Sequence, residues 1–284
     1  MDGRTDNLVS TEWLAAHLEA PDVAILDGSW HLPDSGRDAD AEYEEAHIPG
    51  AVRFDIDVIK DKGSDLPHML PRPEAFASAV RKLGIGDGQT IVVYDTVGVF
   101  SAPRVWWMFR TMGARNVYVL DGGLPKWVAE GRPVSDAPVM RRDRHFTARL
   151  DHRLLAEKPD VARAVREGAP RILDSRNATR FRGEEEEPRP GLRAGHMPGA
   201  INLPYRDLLR EDGRLRPAAE LSALFAARGV DPAEPLIASC GSGVSAATLA
   251  LALAETGHQR VAVYDGSWTE WASDPDAPVE TGSG

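Results

Sequence analysis

The sequence predicts an α/β protein made of two copies of one domain, each a mostly parallel sheet flanked by helices. Three observations lead there. At 284 residues the chain exceeds what one hydrophobic core usually organises, so two domains of roughly 140 residues are expected. Short apolar runs alternate with helical patterns, as in parallel sheets covered on both faces. The chain also repeats itself in order. "VAILDGSW" (Val23 to Trp30) resembles "PRILDSRN" (Pro170 to Asn177), and "AHIPGAVRFD" (Ala46 to Asp55) resembles "GHMPGAINLP" (Gly195 to Pro204). "KLGIGDGQTIVVYD" (Lys82 to Asp95) resembles "ARGVDPAEPLIASC" (Ala227 to Cys240), and "VYVLDGGLPKWVAEG" (Val117 to Gly131) resembles "VAVYDGSWTEWASDP" (Val261 to Pro275). A tandem duplication explains this order.

In the first copy, "STEWLAAHLEA" reads as a helix with Ser10 as N-cap, followed by the strand "VAILD". "PEAFASAVRKLG" is a second helix, ending at a glycine, before the strands "TIVVYD" and "VYVLD". The second copy gives strands "RILD", "PLIASC" and "VAVYD", with helices over "PAAELSALFAARG" and "VSAATLALALAETG", the latter ending at Gly257. "APVMRRDRHFTARLDH" (Ala137 to His152) belongs to neither copy and reads as an exposed connector. The expected domains are therefore residues 1–136 and 153–284, with a linker over 137–152. The tail "DAPVETGSG" reads as a disordered end.

Composition narrows the function classes. A net charge of −11 argues against nucleic acid, which demands a basic footprint. The apolar stretch "AATLALALA" falls short of the roughly 20 residues a membrane span needs. "MDGRTDNLVS" carries no secretory pattern, and a single cysteine precludes an internal disulfide, so the cytoplasm is the expected location. No metal cluster, Walker loop or dinucleotide fingerprint is present, so neither metal nor cofactor is expected.

The duplication supplies its own control. Positions shared by both copies are explained first by the shared fold. His47 and His196, each in an "HxPGA" stretch, are expected to be structural, and Asp121 and Asp265 belong to turns. Cys240 behaves oppositely. Aligning "IVVYDTVGVFSA" with "LIASCGSGVSAA" sets Asp95 against Cys240, while Gly98 and Val99 match Gly243 and Val244. The turn survives in both copies and the thiol in one, so the first copy is read as catalytically empty.

Cys240 follows a strand and precedes a helix. Such a turn wraps backbone N–H groups around a concave site facing the helix start, which favours an anion. A cysteine there is expected to face open space as a reactive thiolate. A phosphatase loop would close with an arginine at position 246, but Ala246 stands there, and phosphoryl transfer loses its clamp.

Two homologous α/β halves, a single loop cysteine in the second and the ordered motifs from "STEWLAAHL" to "YDGSWTEWA" resemble the tandem-domain rhodanese sulfurtransferases. The loop "CGSGV" is most similar to the branch that uses 3-mercaptopyruvate. The resemblance implies sulfur transfer through a Cys240 persulfide to a thiol such as thioredoxin or glutathione, or to cyanide, with release of pyruvate. It implies that Arg180 and Arg189 grip the donor's carboxylate and keto oxygen. Gly241, Gly243, Val244 and Ser245 line the loop, and Ser242, His68 and Asp57 match a proposed proton relay. Thiosulfate-preferring relatives usually carry cationic side chains where this chain has Gly241 and Ser242. Thiosulfate as the main donor, and a non-catalytic binding or regulatory protein of the same shape, stand as alternatives.

Overall fold

Val23–Asp27 (β2) is buried at every position, and such a strand must be covered on both faces. The computed structural model, which describes residues 3–231, 233–258 and 260–283, provides that cover. Two units form, one from Met1–Lys62, Leu70–Asp151 and Leu209–Leu215, the other from Gly63–Met69, His152–Leu208 and Arg216–Gly284. Each takes a short segment from the other half of the sequence, from the interval between its third strand and the next helix.

In the first unit the elements are β1 (Leu8–Val9), α1 (Thr11–Ala16), β2, α2 (Ala39–Glu45), β3 (Val52–Arg53), α3 (Pro73–Lys82), β4 (Thr90–Tyr94), α4 (Ala102–Thr111), β5 (Val117–Leu120) and α5 (Gly123–Ala129). The strands pair in the order β1-β5-β4-β2-β3, all parallel. Ser10 caps α1 as expected, its hydroxyl accepting from Trp13 N–H at 3.1 Å. The core on one face gathers Leu14, Ile25, Val92 and Trp127.

The second unit repeats the plan with β6 (Leu155–Ala156), α6 (Lys158–Glu167), β7 (Arg171–Asp174), α7 (Ala178–Arg182), β8 (Ile201–Asn202), α8 (Ala218–Ala227), β9 (Leu236–Ser239), α9 (Val244–Glu255), β10 (Val261–Tyr264) and α10 (Ser267–Ser273). Its parallel order, β6-β10-β9-β7-β8, is the same permutation. Val161, Ile172, Ile237 and Trp268 anchor its core.

The shared histidines are framework. His47 stacks on Tyr43 and donates through Nδ1 to its carbonyl at 2.8 Å. His196 stacks on Phe181 and donates to that residue's carbonyl at 2.8 Å. Each also pairs main chain with a later segment, His47 with Ser135 and His196 with Glu280.

Two expectations need amending. The connector is exposed over most of its length, but it is tied to the first unit. Phe146 packs edge-on against Phe76 and Phe109, and Thr147 bonds Asp87. The tail is not loose either. Glu280 is paired, and Pro278 O accepts from Trp271 Nε1 at 2.9 Å, so backbone bonding holds residues that composition reads as mobile. Gly284 lies outside the described residues.

The two copies pair one shared buried acid differently. Asp174 is paired with Arg176, whereas the matching Asp27 has Ser29 where the arginine would be. Burial raises the carboxyl pKa of Asp27, only partly offset by Ser29, Arg53 and Tyr94. The folded state therefore holds this proton more tightly than the unfolded chain, which loses it near pH ~4. Stability from this group is full below that pH and falls as pH rises through the raised value. Asp27→Asn is expected to abolish that fall. Urea unfolding of both proteins from pH 4 to 8 checks this: the variant should gain on the wild type as pH rises. A constant difference would refute it.

Candidate active site

Cys240 directly follows β9, the central strand of the second sheet, at its C-terminal end. The chain leaves β7 toward β8 and β9 toward β10, on opposite sides. Open parallel sheets bind ligands in the crevice beyond such a switch point. Gly243, at φ 80°, turns the chain into α9 in a left-handed conformation that a side chain would strain. That turn aims the Gly243 N–H at Cys240 Sγ, 3.1 Å away.

The start of α10 clamps the loop. Trp268 N–H donates to Cys240 O at 2.9 Å, and Thr269 donates to Gly241 O through N–H at 2.9 Å and Oγ1 at 2.7 Å. Ser267 Oγ accepts from Cys240 N–H at 3.2 Å and gives its own proton to Tyr264 O at 2.8 Å. It lies 4.0 Å from Sγ. The expectation that the thiol faces open space is thereby corrected: Cys240 is only 2% exposed. The hydrogen-bonding groups named at its sulfur are polar, so it is not packed simply as an apolar filler. Ser242 is likewise buried. Ser245, beginning α9 beside Val244, shares a 2.9 Å hydrogen bond with Ser175 at the end of β7.

Arg180 stands beside the loop. Asn177 caps α7 by accepting from Arg180 N–H at 3.2 Å. The Arg180 guanidinium passes so close to the loop that a Cβ on Gly241 would sit 3.0 Å from its Nη2. Glu187 accepts from Arg180 Nε at 3.3 Å and from Nη2. The same carboxylate accepts from Arg176 Nη1 at 2.7 Å. Arg176 forks onto Asp174, donates to Gly195 O at 2.9 Å and lies over the Trp268 ring at 4.4 Å. Burial would lower the pKa of Arg176, but Asp174 and Glu187 more than offset it. Arg189 is half-buried in the loop after α7.

With this geometry in view, the chain matches the rhodanese-like domain twice, over residues 10–130 and 157–274. The chain belongs to the rhodanese family. It is 45% identical to the 3-mercaptopyruvate sulfurtransferase of Escherichia coli (strain K12), covering 96% of this chain and 97% of that protein. It is 42% identical to the human 3-mercaptopyruvate sulfurtransferase, covering 98% and 96%. It is 43% identical to the thiosulfate sulfurtransferase of Bos taurus, at the same coverage of 98% and 96%. Among solved structures it resembles the 3-mercaptopyruvate sulfotransferase SseA from Escherichia coli. That match has a TM-score of 0.85 at 43% identity, over 93% of this chain and 99% of that one.

The first rhodanese-like domain shows what its matching loop holds. Asp95 Oδ1 accepts from the N–H groups of Val97 and Gly98 at 2.8 Å. Oδ2 accepts from Phe100 at 2.8 Å and from Ser101 and Ala102 at 2.9 Å. The loop is a main-chain anion cradle filled by its own carboxylate. The segment 209–215, part of this unit, lies against it: Gly213 O is 2.9 Å from where a Cβ on Gly98 would stand.

His68 and Asp57 belong to different units by contact. His68 is buried, at φ 58°, in the segment Gly63–Met69 of the second unit. Asp57 is an exposed residue of the first unit, where its Oδ2 accepts from Trp30 Nε1 at 2.8 Å. Sequence reasoning missed Arg176, Glu187 and the α10 clamp. The comparison that found Cys240 also reaches Arg176, since aligning the two "ILD" motifs sets it against Ser29. Glu187 is hidden in a run of four glutamates.

Proposed function

We propose that this chain moves sulfane sulfur from 3-mercaptopyruvate, through a persulfide on Cys240, to a thiol or cyanide acceptor, releasing pyruvate. The observation that carries the reading is the Cys240 loop, with a main-chain N–H on its sulfur and the Arg180 guanidinium beside Gly241. The Cys240 thiolate attacks the donor's sulfur, and the carbon–sulfur bond breaks. Its electron pair leaves as pyruvate enolate, which takes a proton at the former CH2 carbon. The added sulfur stays on Cys240.

The first domain supports the persulfide step by analogy. Its cradle donors match the N–H groups of Ser242, Gly243, Ser245, Ala246 and Ala247. A carboxylate spans two acceptor positions in that cradle, and a two-sulfur anion is long enough to do the same. Arg180 and Arg189 are assigned to the donor's carboxylate and keto oxygen, which a planar fork recognises in orientation as well as charge. Ser242 and His68, both in the second unit, are assigned to the enolate proton. The duplication favours this for His68, because the matching interval of the second copy lies on the first unit's loop.

The neutral Gly241 and Ser242 favour a monoanionic donor over the dianion thiosulfate. The acceptor is assigned as a small or protein thiol of the glutathione or thioredoxin kind, in a reducing compartment such as the cytoplasm. Among the described residues no helix is long and apolar enough to cross a membrane.

Comparing kcat/KM on the two donors tests the reading, with mercaptopyruvate expected to lead by about tenfold or more. A preference for thiosulfate would overturn it. Arg189→Ala is expected to raise KM for mercaptopyruvate more than about tenfold, as loss of a charge-assisted pair requires. An unchanged KM removes Arg189 from the site.

A further inference from the structure

We infer that Glu187 is a positioning residue that aims Arg180 at the donor and, by its charge, sets the site for a singly charged donor. This rests on the reading of Arg180 as the donor's carboxylate anchor. Glu187 is a buried carboxylate, its side chain 2% exposed, between two guanidiniums. Arg176 cannot yield. Asp174, Gly195 O and the Trp268 ring fix its other edges. The rigidity of the β7 end therefore passes through Arg176 and Glu187 to Arg180.

The edge that Glu187 takes decides what Arg180 can offer. Nε and Nη2 are committed to the carboxylate, while Nη1 makes no hydrogen bond among the described residues. Nη2 is also the atom nearest Gly241. Arg180 is thus presented in one orientation, with its remaining N–H groups available beside the cysteine loop. An unbound arginine would lose rotamer freedom on meeting the donor; this one has already lost it.

Charge is the second consequence. Asp174 and Glu187 balance Arg176 and Arg180, so the buried cluster is formally neutral before a donor arrives. A monoanion brings one unpaired charge to this cluster and thiosulfate brings two. In a poorly hydrated site the second repels a carboxylate held on the same guanidinium. Removing that carboxylate's charge should therefore hurt the two donors unequally. A purely structural role would not.

The test uses the full-length protein with cyanide as acceptor and both donors. Glu187→Gln is nearly isosteric. It is expected to raise KM for mercaptopyruvate while kcat/KM for thiosulfate holds or rises, cutting the donor ratio at least about tenfold. Glu187→Asp keeps the charge and draws it back by one methylene. It should raise KM for both donors together, leave kcat in place and hold the ratio within about threefold. A Gln variant whose two donors fall in parallel overturns the inference. So does an Asp variant that shifts the ratio as far as Gln does, or one whose KM values are unchanged, and the Asp results decide alone if the Gln protein fails to fold. Arg180→Ala, run beside them, separates the two claims. If KM for mercaptopyruvate does not move there, the anchor reading has failed; if it moves and the Glu187 results fail, only the inference falls.

Discussion

Cys240→Ser is expected to lower turnover with either donor by roughly a thousandfold or more, and to leave the protein unable to carry added sulfur. The substitution is conservative for the fold. Serine still offers the Gly243 N–H an acceptor, and the main-chain bonds from Trp268 and Thr269 do not involve the side chain. What it removes is the nucleophile. A hydroxyl is far less ionised than a thiol at neutral pH and attacks sulfur poorly. Because the chain has one cysteine, intact mass after exposure to mercaptopyruvate without acceptor gives an unambiguous answer. Wild type should gain one sulfur atom and the variant none. A wild type that stays unmodified while retaining its far-UV circular dichroism would sink the catalytic assignment and favour a rhodanese-shaped binding protein. A variant that keeps more than a few per cent of turnover would move the nucleophile elsewhere, although no second thiol exists to take it.

Much of this architecture is legible from local pattern because the chain states it twice. The fully apolar strands could only be parallel and covered, and the order of the repeats fixed two equivalent sheets. Helices with clear ends, such as α3, α8 and α9, stop where Gly84, Gly229 and Gly257 put them. The edge strands β1, β3, β6 and β8 are two residues each, too short to leave a period, and α2 and α7 lie in charged stretches that read as loops. The exchange of 63–69 and 209–215 between units is a long-range contact with no local signature. The site divides the same way. Cys240 and Arg180 stand out by residue type and motif. The burial of Cys240 comes from α10 folding onto its loop, and the capture of two arginines by Glu187 from an irregular loop turning back on α7; periodicity carries no trace of either.

The largest stability effect is expected at a residue with no part in the chemistry. Asp95 holds the matching position in the first domain, fully buried, with five main-chain N–H groups converging on it. Asp95→Ala would strip the acceptor from all of them. Gly98, Ser101 and Ala102 are buried, and a buried donor left unpaired costs about 1–3 kcal/mol. Water entering the space vacated by the carboxylate recovers part of this, so a net loss of about 3–5 kcal/mol is expected, in the range for breaking a buried charge interaction. Asp95→Asn keeps one acceptor oxygen but turns an NH2 group toward donors, and should lose less. Urea unfolding by tryptophan fluorescence checks both, and a loss under about 1 kcal/mol for the alanine variant would refute the assignment. The sign of the comparison with Cys240→Ser matters more than either value. One loop holds a carboxylate and depends on it for stability; the other places a sulfur where that carboxylate sits, and should tolerate the loss of its sulfur structurally while losing its reaction. If Asp95→Ala were harmless, the first-domain cradle would not be an anion site, and the analogy that extends it to a persulfide on Cys240 would lose its support.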